Sequence, residues 1–334
     1  MDYRTLESMI SKSLGRPGAH MSFGWQGGEP TLMGLDFYRK AISLQELHGK
    51  GMRVSNSIQT NGILMDEQWA DFLKRYSFLV GLSIDGPASI HDRFRVDRGG
   101  EPTHARVERA AKLLLETGVA VNALSVVTEQ SASSAKEIYR YLKGIGFTYL
   151  QFIPIMEMSE TKPDEVADFS VTATSYGKFL CDLFDLWVED FVDGRPTTSI
   201  RQFETYAAIY MGYEAPECTV RKTCGDYLVV EHDGSVYSCD FFVEDTWKLG
   251  TLDQDVSLED MLNGRRQTLF GEVKSKLDKR CIKCPWLQFC YGGCPKDRLR
   301  DRATKRFNPY CESVKMFFSY ADERFRKLLA DMPR

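Results

Sequence analysis

The sequence predicts an α/β fold in which a partial barrel of parallel βα units is followed by a smaller, cysteine-rich domain. Three observations carry this expectation. Up to about residue 155, short apolar runs rich in β-branched and aromatic residues alternate with amphipathic helical stretches, the pattern of parallel βαβ units. With 334 residues, 43% of them hydrophobic, the chain can bury a core of barrel size and still form a second domain. Eight of its nine cysteines fall between Cys218 and Cys311, and none precedes Cys181.

Taken in order, strands are expected near His20–Trp25, Arg53–Thr60, Phe78–Ile84, Val119–Val127 and Tyr149–Ile153. Helical spacing fills the intervals at Leu35–Leu47, Asp66–Tyr76, Thr103–Thr117 and Ser134–Lys143, with Gly118 and Gly144 as stop signals. In such barrels the chemistry sits at the C-terminal ends of the strands, so the residues just after each strand are the ones to inspect. The charged, apolar-poor stretch Met158–Asp168 reads as a linker before a long helix at Thr172–Asp190. Further helices are expected at Ser199–Tyr210 and Ser313–Leu329. The expected domains are therefore 1–157 (barrel), 158–212 (linker and helices), 213–312 (cysteine-rich domain) and 313–334 (terminal helix).

A net charge of −4 and a pI near 5.9, with basic residues scattered, create no field to gather polyanions, so nucleic acid is not an expected partner. No apolar run reaches the roughly 18 to 20 residues that span a bilayer, and residues 1–20 hold no signal-like apolar segment. A soluble, cytoplasmic protein without a membrane partner is expected. In that compartment crowded cysteines point to metal rather than to disulfides.

The cysteines run Cys218-x5-Cys224-x14-Cys239, then Cys281-x2-Cys284-x5-Cys290-x3-Cys294, then Cys311. Eight thiolates suffice for two four-ligand sites, and Gly292 and Gly293 allow tight turns between ligands. Zinc knuckles use the same short steps, so spacing alone leaves iron–sulfur and zinc both open. Cys181, outside this pattern on a helix, reads as a buried small hydrophobe.

Trp25-Gln26-Gly27-Gly28-Glu29-Pro30 directly follows a strand, placing two glycines and a carboxylate at the active face, although an ordinary strand-to-helix turn reads the same way. Ser83, within Gly81-Leu82-Ser83-Ile84-Asp85-Gly86, and Arg95 lie beyond another strand; a guanidinium there can grip a carboxylate through two parallel bonds, or simply be solvated. Asp240 follows Cys239 with Phe241 and Phe242 behind it, as a turn cap or as a carboxylate shielded beside a metal ligand.

The cysteine spacing from Cys218 to Cys311 resembles the SPASM domain of radical S-adenosylmethionine (SAM) peptide-modifying enzymes, and Trp25 to Tyr38 resembles the anaerobic sulfatase-maturating subfamily. The resemblance implies a (β/α)6 TIM-like radical SAM barrel, here a partial one lacking its first strand. It implies two auxiliary [4Fe–4S] clusters, one on Cys218, Cys224, Cys239 and Cys294, the other on Cys281, Cys284, Cys290 and Cys311. It further implies SAM binding by Gln26, Gly27, Gly28, Glu29, Ser83 and Arg95, with Asp240 as general base. The implied reaction is oxidation of a sulfatase Cys or Ser in a C/S-x-P-x-R motif to Cα-formylglycine, with flavodoxin or ferredoxin as electron donor. The family's third [4Fe–4S] cluster sits on a C-x3-C-x2-C triad after the first strand, and its ligands are not present; the chain is expected to be N-terminally truncated and inactive as it stands. A thioether-forming SPASM enzyme and a non-catalytic metal-binding scaffold are the competing expectations.

Overall fold

The computed structural model describes residues 1–15, 18, 20–162, 165–300 and 307–330. Strands β1 (His20–Trp25), β2 (Arg53–Thr60), β3 (Leu79–Ser83), β4 (Ala120–Val127) and β5 (Tyr149–Pro154) form where the patterning places them. With β6 (Ser199–Ile200) they make a parallel sheet of six strands in chain order. Helices α1 (Tyr3–Leu14), α2 (Leu35–His48), α3 (Glu67–Arg75), α4 (His104–Thr117), α5 (Ala135–Ile145), α6 (Ala173–Glu189) and α7 (Arg201–Tyr210) complete the α/β alternation.

Two local readings differ from the structure. The helix expected to stop at Gly144 continues to Ile145 and closes on Gly146 (φ +115°), because only the second glycine adopts the left-handed conformation. Ser199, read as a helix start, instead forms the two-residue strand β6, paired Tyr149 to Ser199 and Leu150 to Ile200. Two residues are too few to carry a period, and a serine before a helix mimics an N-cap.

The chain divides into two compact units, residues 1–57 with 222–276 and residues 58–221 with 277–334. In the first, Asp2 caps α1 by accepting the Thr5 N–H at 2.7 Å, and α1 packs on α2 through Leu6, Ile10 and Leu14. Its later segment forms an antiparallel sheet of β7 (Val229–Val230), β8 (Ser235–Tyr237) and β9 (Lys248–Thr251). Helix α8 (Arg265–Ser275) sets Phe270 against Phe242 and Trp247, with ring centroids 5.4 and 5.0 Å apart. A Cβ on Gly271 would lie 2.5 Å from the Cys224 carbonyl oxygen, so glycine is what lets α8 meet the backbone of that cysteine.

In the second unit, α9 (Cys311–Ala330) lies along α6. Gly177 permits the approach, since a Cβ there would stand 2.8 Å from Met316 Sδ and 3.1 Å from Ser313 Cα. Phe184 is enclosed by Phe203, Phe317 and Phe325. Phe289 stacks on Phe318 (4.4 Å) and packs at a tilt against Tyr210 (4.6 Å), which fastens the segment before Cys290 to α7 and α9. Cys181 on α6 is half-buried rather than fully enclosed, and burial pushes its thiol up to about 11.

His91 is fully buried in this unit. Its Nδ1 accepts the Asp85 N–H at 3.3 Å, so the proton sits on Nε2, which faces Thr103 Oγ1 at 3.1 Å. Burial holds its pKa down at about 4, against an unfolded value of 6.5. Between those values the unfolded chain binds the extra proton, so stability is complete above pH 6.5 and is lost as pH falls towards 4. The loss should amount to no more than about 3 kcal/mol. Urea unfolding of the protein and of His91→Asn between these limits checks it: the variant should show a shallower pH slope, and equal slopes would refute the assignment.

Candidate functional site

Strand β1 ends at Trp25, whose indole N–H donates to Asn56 Oδ1 at 2.9 Å. The chain then turns through Gly27 (φ +88°) and Gly28 (φ +43°). Both lie in the region that favours glycine, and a Cβ at either would meet nothing within 4 Å. The peptide edge of this turn therefore faces open space, which fits a ligand that binds backbone. Glu29 accepts the Thr31 N–H at 3.0 Å and caps the short 3-10 turn Pro30–Met33, so the carboxylate has the local capping role that a strand-to-helix turn would give it.

Gln26 donates from Nε2 to Asp240 Oδ2 at 3.0 Å. The other oxygen, Oδ1, accepts from the Tyr227 hydroxyl at 2.7 Å and from Cys239 Sγ at 3.3 Å. Asp240 is thus held from three sides, next to an expected cluster ligand and bonded to the residue that precedes the glycine turn. Tyr227 completes this arrangement and was not singled out in the sequence; the spacing Tyr227 to Cys239 carries no motif that marks it. Its ring keeps 40% exposure, yet burial around the hydroxyl, then its bonds to Cys239 and Asp240, hold its pKa well above the tyrosine range. Gln267 fixes the tyrosine's backbone by donating from Nε2 to the Tyr227 carbonyl at 3.1 Å. Burial pushes the Cys239 thiol up to about 12. The expected shield forms only in part: Phe242 packs on Phe270, whereas Phe241 is 49% exposed because it follows the turn outward.

In the other unit, Ser83 ends β3 in register with Leu124 of β4. Arg95 is paired within the chain, its Nε and Nη2 donating to Asp85 Oδ2 (2.5 Å) and Oδ1 (3.0 Å). Asp85 Oδ1 also accepts the Val126 N–H at 2.8 Å, so the guanidinium is anchored to a carboxylate that the sheet itself fixes. Two of its donors are committed to this fork, a use of the bidentate geometry that the sequence reading assigned to a ligand.

Four cysteines of that unit, Cys281, Cys284, Cys290 and Cys311, line one open cavity of about 440 Å³, part of it open to solvent. Three successive residues after Cys290, namely Tyr291 (φ +42°), Gly292 (φ +74°) and Gly293 (φ +68°), turn the chain sharply. Trp286, Leu287, Phe307 and Val314 supply apolar walls, and Arg280 and Lys315 bring positive charge. Burial, and then the neighbouring Cys290, raise the Cys281 thiol; burial raises Cys311 to about 11 against the opposing pull of Lys315. None of the nine cysteines is in a disulfide. Among the described residues no group of three His, Cys, Asp or Glu side chains is placed to hold a single metal ion. This donor set fits a polynuclear cluster. The remaining four are half-buried: Cys218 opens a 3-10 turn, Cys224 lies under α8, Cys239 adjoins Asp240, and Cys294 precedes the helix Pro295–Arg300.

A parallel sheet with an open glycine turn after β1, followed by thiol-rich turns, agrees with a radical SAM enzyme carrying an iron–sulfur domain. Accordingly, the radical SAM superfamily profile matches residues 9–142 and that of an iron–sulfur cluster-binding domain matches residues 218–285. The cysteine-type anaerobic sulfatase-maturating enzyme of Clostridium perfringens is 41% identical over 321 residues, covering 96% of this chain and 86% of its own. The serine-type enzyme of Bacteroides thetaiotaomicron is 36% identical, covering 89% and 75% respectively. A solved structure of native anSMEcpe with bound AdoMet and the Cp18Cys peptide superposes with a TM-score of 0.91 at 40% identity, over 99% of this chain and 91% of that one. The chain belongs to the anaerobic sulfatase-maturating enzymes, which are radical SAM oxidoreductases.

Proposed function

We propose that this protein oxidises a cysteine or serine in the C/S-x-P-x-R segment of a sulfatase to Cα-formylglycine. The observation that carries the reading is the Asp240 carboxylate, held beside Cys239 by Tyr227 and by Gln26, the residue before the Gly27–Gly28 turn. The oxidation removes a hydrogen atom from the substrate Cβ, a proton from its thiol or hydroxyl, and one electron; with serine this leaves the aldehyde directly, whereas with cysteine it leaves a thioaldehyde, which water hydrolyses to formylglycine with release of hydrogen sulfide. When bound, SAM and the iron–sulfur clusters supply hydrogen-atom abstraction and electron transfer. The chain's own part is positioning and proton removal. Asp240 accepts the proton, while the Tyr227 and Gln26 bonds fix the carboxylate where the substrate meets it. Gly27, Gly28 and Glu29 hold SAM through backbone and carboxylate, and Ser83 and Arg95 address its methionyl end, Arg95 being oriented by Asp85.

Cys281, Cys284, Cys290 and Cys311 hold one auxiliary [4Fe–4S] cluster, and Cys218, Cys224, Cys239 and Cys294 the other. The match of residues 218–285 to an iron–sulfur cluster-binding domain supports clusters over zinc. Electrons come from flavodoxin or ferredoxin, in a cytoplasmic setting. Among the described residues no helix is long and apolar enough to cross a membrane. Residues 1–180 contain no cysteine, so the triad for the catalytic cluster is not within residues 1–334, and this polypeptide alone should cleave no SAM.

The test is a peptide carrying C-x-P-x-R or S-x-P-x-R, incubated anaerobically with the protein extended by a C-x3-C-x2-C segment, reductant and SAM. Mass spectrometry should find formylglycine at the Cys or Ser. A thioether crosslink instead would make the protein a different peptide modifier, and stoichiometric zinc with no SAM binding would make it a scaffold.

A further inference from the structure

One buried side chain beside the four-cysteine cavity has no part in the reading above. Asn308 is 6% exposed. Its Oδ1 accepts the Tyr310 N–H at 2.9 Å, and because a backbone N–H can only donate, this contact fixes which way the amide faces. Nδ2 is thereby turned to Cys290 Sγ, to which it donates at 3.6 Å. Gly293 protects the contact: with φ +68° it carries no side chain, and a Cβ there would stand 2.4 Å from Nδ2. The Asn308 carbonyl also accepts the Cys311 N–H at 3.0 Å. One residue therefore holds two of the four cysteines, Cys290 by its side chain and Cys311 by its backbone.

We propose that Asn308 is a positioning residue that raises the reduction potential of the auxiliary cluster held by Cys281, Cys284, Cys290 and Cys311. The inference rests on the iron–sulfur reading of that cavity. One-electron reduction adds negative charge, part of which falls on the ligand sulfurs. An N–H aimed at one of them stabilises the reduced form more than the oxidised form, so the couple becomes easier to reduce. An amide that merely fills a loop would leave the couple where it is.

The 334-residue protein, reconstituted anaerobically with iron and sulfide, is titrated with dithionite while EPR follows the reduced clusters. Asn308→Ala removes the donor; Asn308→Asp keeps the shape but replaces the donor with a negative charge. Both should retain the parental iron and sulfide, and one of the two couples should move to lower potential. The expected shift for Ala is at least tenfold in the reduced-to-oxidised ratio at fixed potential, about 59 mV for one electron, with Asp moving further the same way. Unchanged couples at full iron content would overturn the proposal. So would loss of about half the iron from both variants, which would make Asn308 a support of the loop and nothing more. Parental protein that takes up zinc and no sulfide would overturn the cluster reading itself and this proposal with it.

Discussion

Replacing Asp240 by asparagine, in protein extended with the C-x3-C-x2-C segment, is expected to lower formylglycine yield by about 10² or more while SAM cleavage continues. The surroundings make this substitution informative. Tyr227 donates to Oδ1, which asparagine retains as a carbonyl oxygen. Gln26 donates to Oδ2, which becomes an NH₂; a rotation of the Gln26 amide presents its oxygen instead and preserves the contact. Packing and the Cys239 neighbourhood are therefore kept, and only the basic carboxylate is lost. Iron and sulfide content should match the parent, and 5′-deoxyadenosine should still form on incubation with SAM and reductant. Formylglycine at the parental rate would show that Asp240 is a turn residue beside a cysteine and no base.

Much of the fold was legible because the barrel elements are long and periodic. β1 and β2 match their expected limits, and Gly118 stops α4 in the left-handed conformation its sequence position implies. What the sequence could not show lies where a few side chains meet across long separations. Gln26 and Asp240 are 214 residues apart, and no local pattern announces their hydrogen bond. Tyr227 is one of 15 tyrosines, distinguished only by the fold that brings its hydroxyl to Asp240. Arg95 shows the converse. Its residue type marks bidentate carboxylate binding, and the fold adds Asp85, ten residues earlier, as an internal partner of the guanidinium. The cysteines fall between these cases: spacing points to metal and the family resemblance groups Cys311 with Cys281, Cys284 and Cys290, and the fold places these four around one cavity.

That division of the thiols leads to the second large effect. Reconstituted protein should contain about eight iron and eight sulfide per chain, as two cubane clusters require. Cys290→Ser and Cys294→Ser lie four positions apart, yet they should empty different sites, because Cys290 lines the cavity with Cys281, Cys284 and Cys311 whereas Cys294 is not among its lining residues. Each single variant should fall to about four iron. The Cys290→Ser/Cys294→Ser pair should lose nearly all of it, whereas Cys281→Ser/Cys290→Ser, striking one cluster twice, should keep about four. Iron and sulfide assays under strict anaerobiosis, with circular dichroism to confirm folding, separate these outcomes. If the Cys290/Cys294 pair retains as much iron as either single variant, the two residues serve one cluster. The interleaved ligand sets would then be wrong even though both sites bind iron.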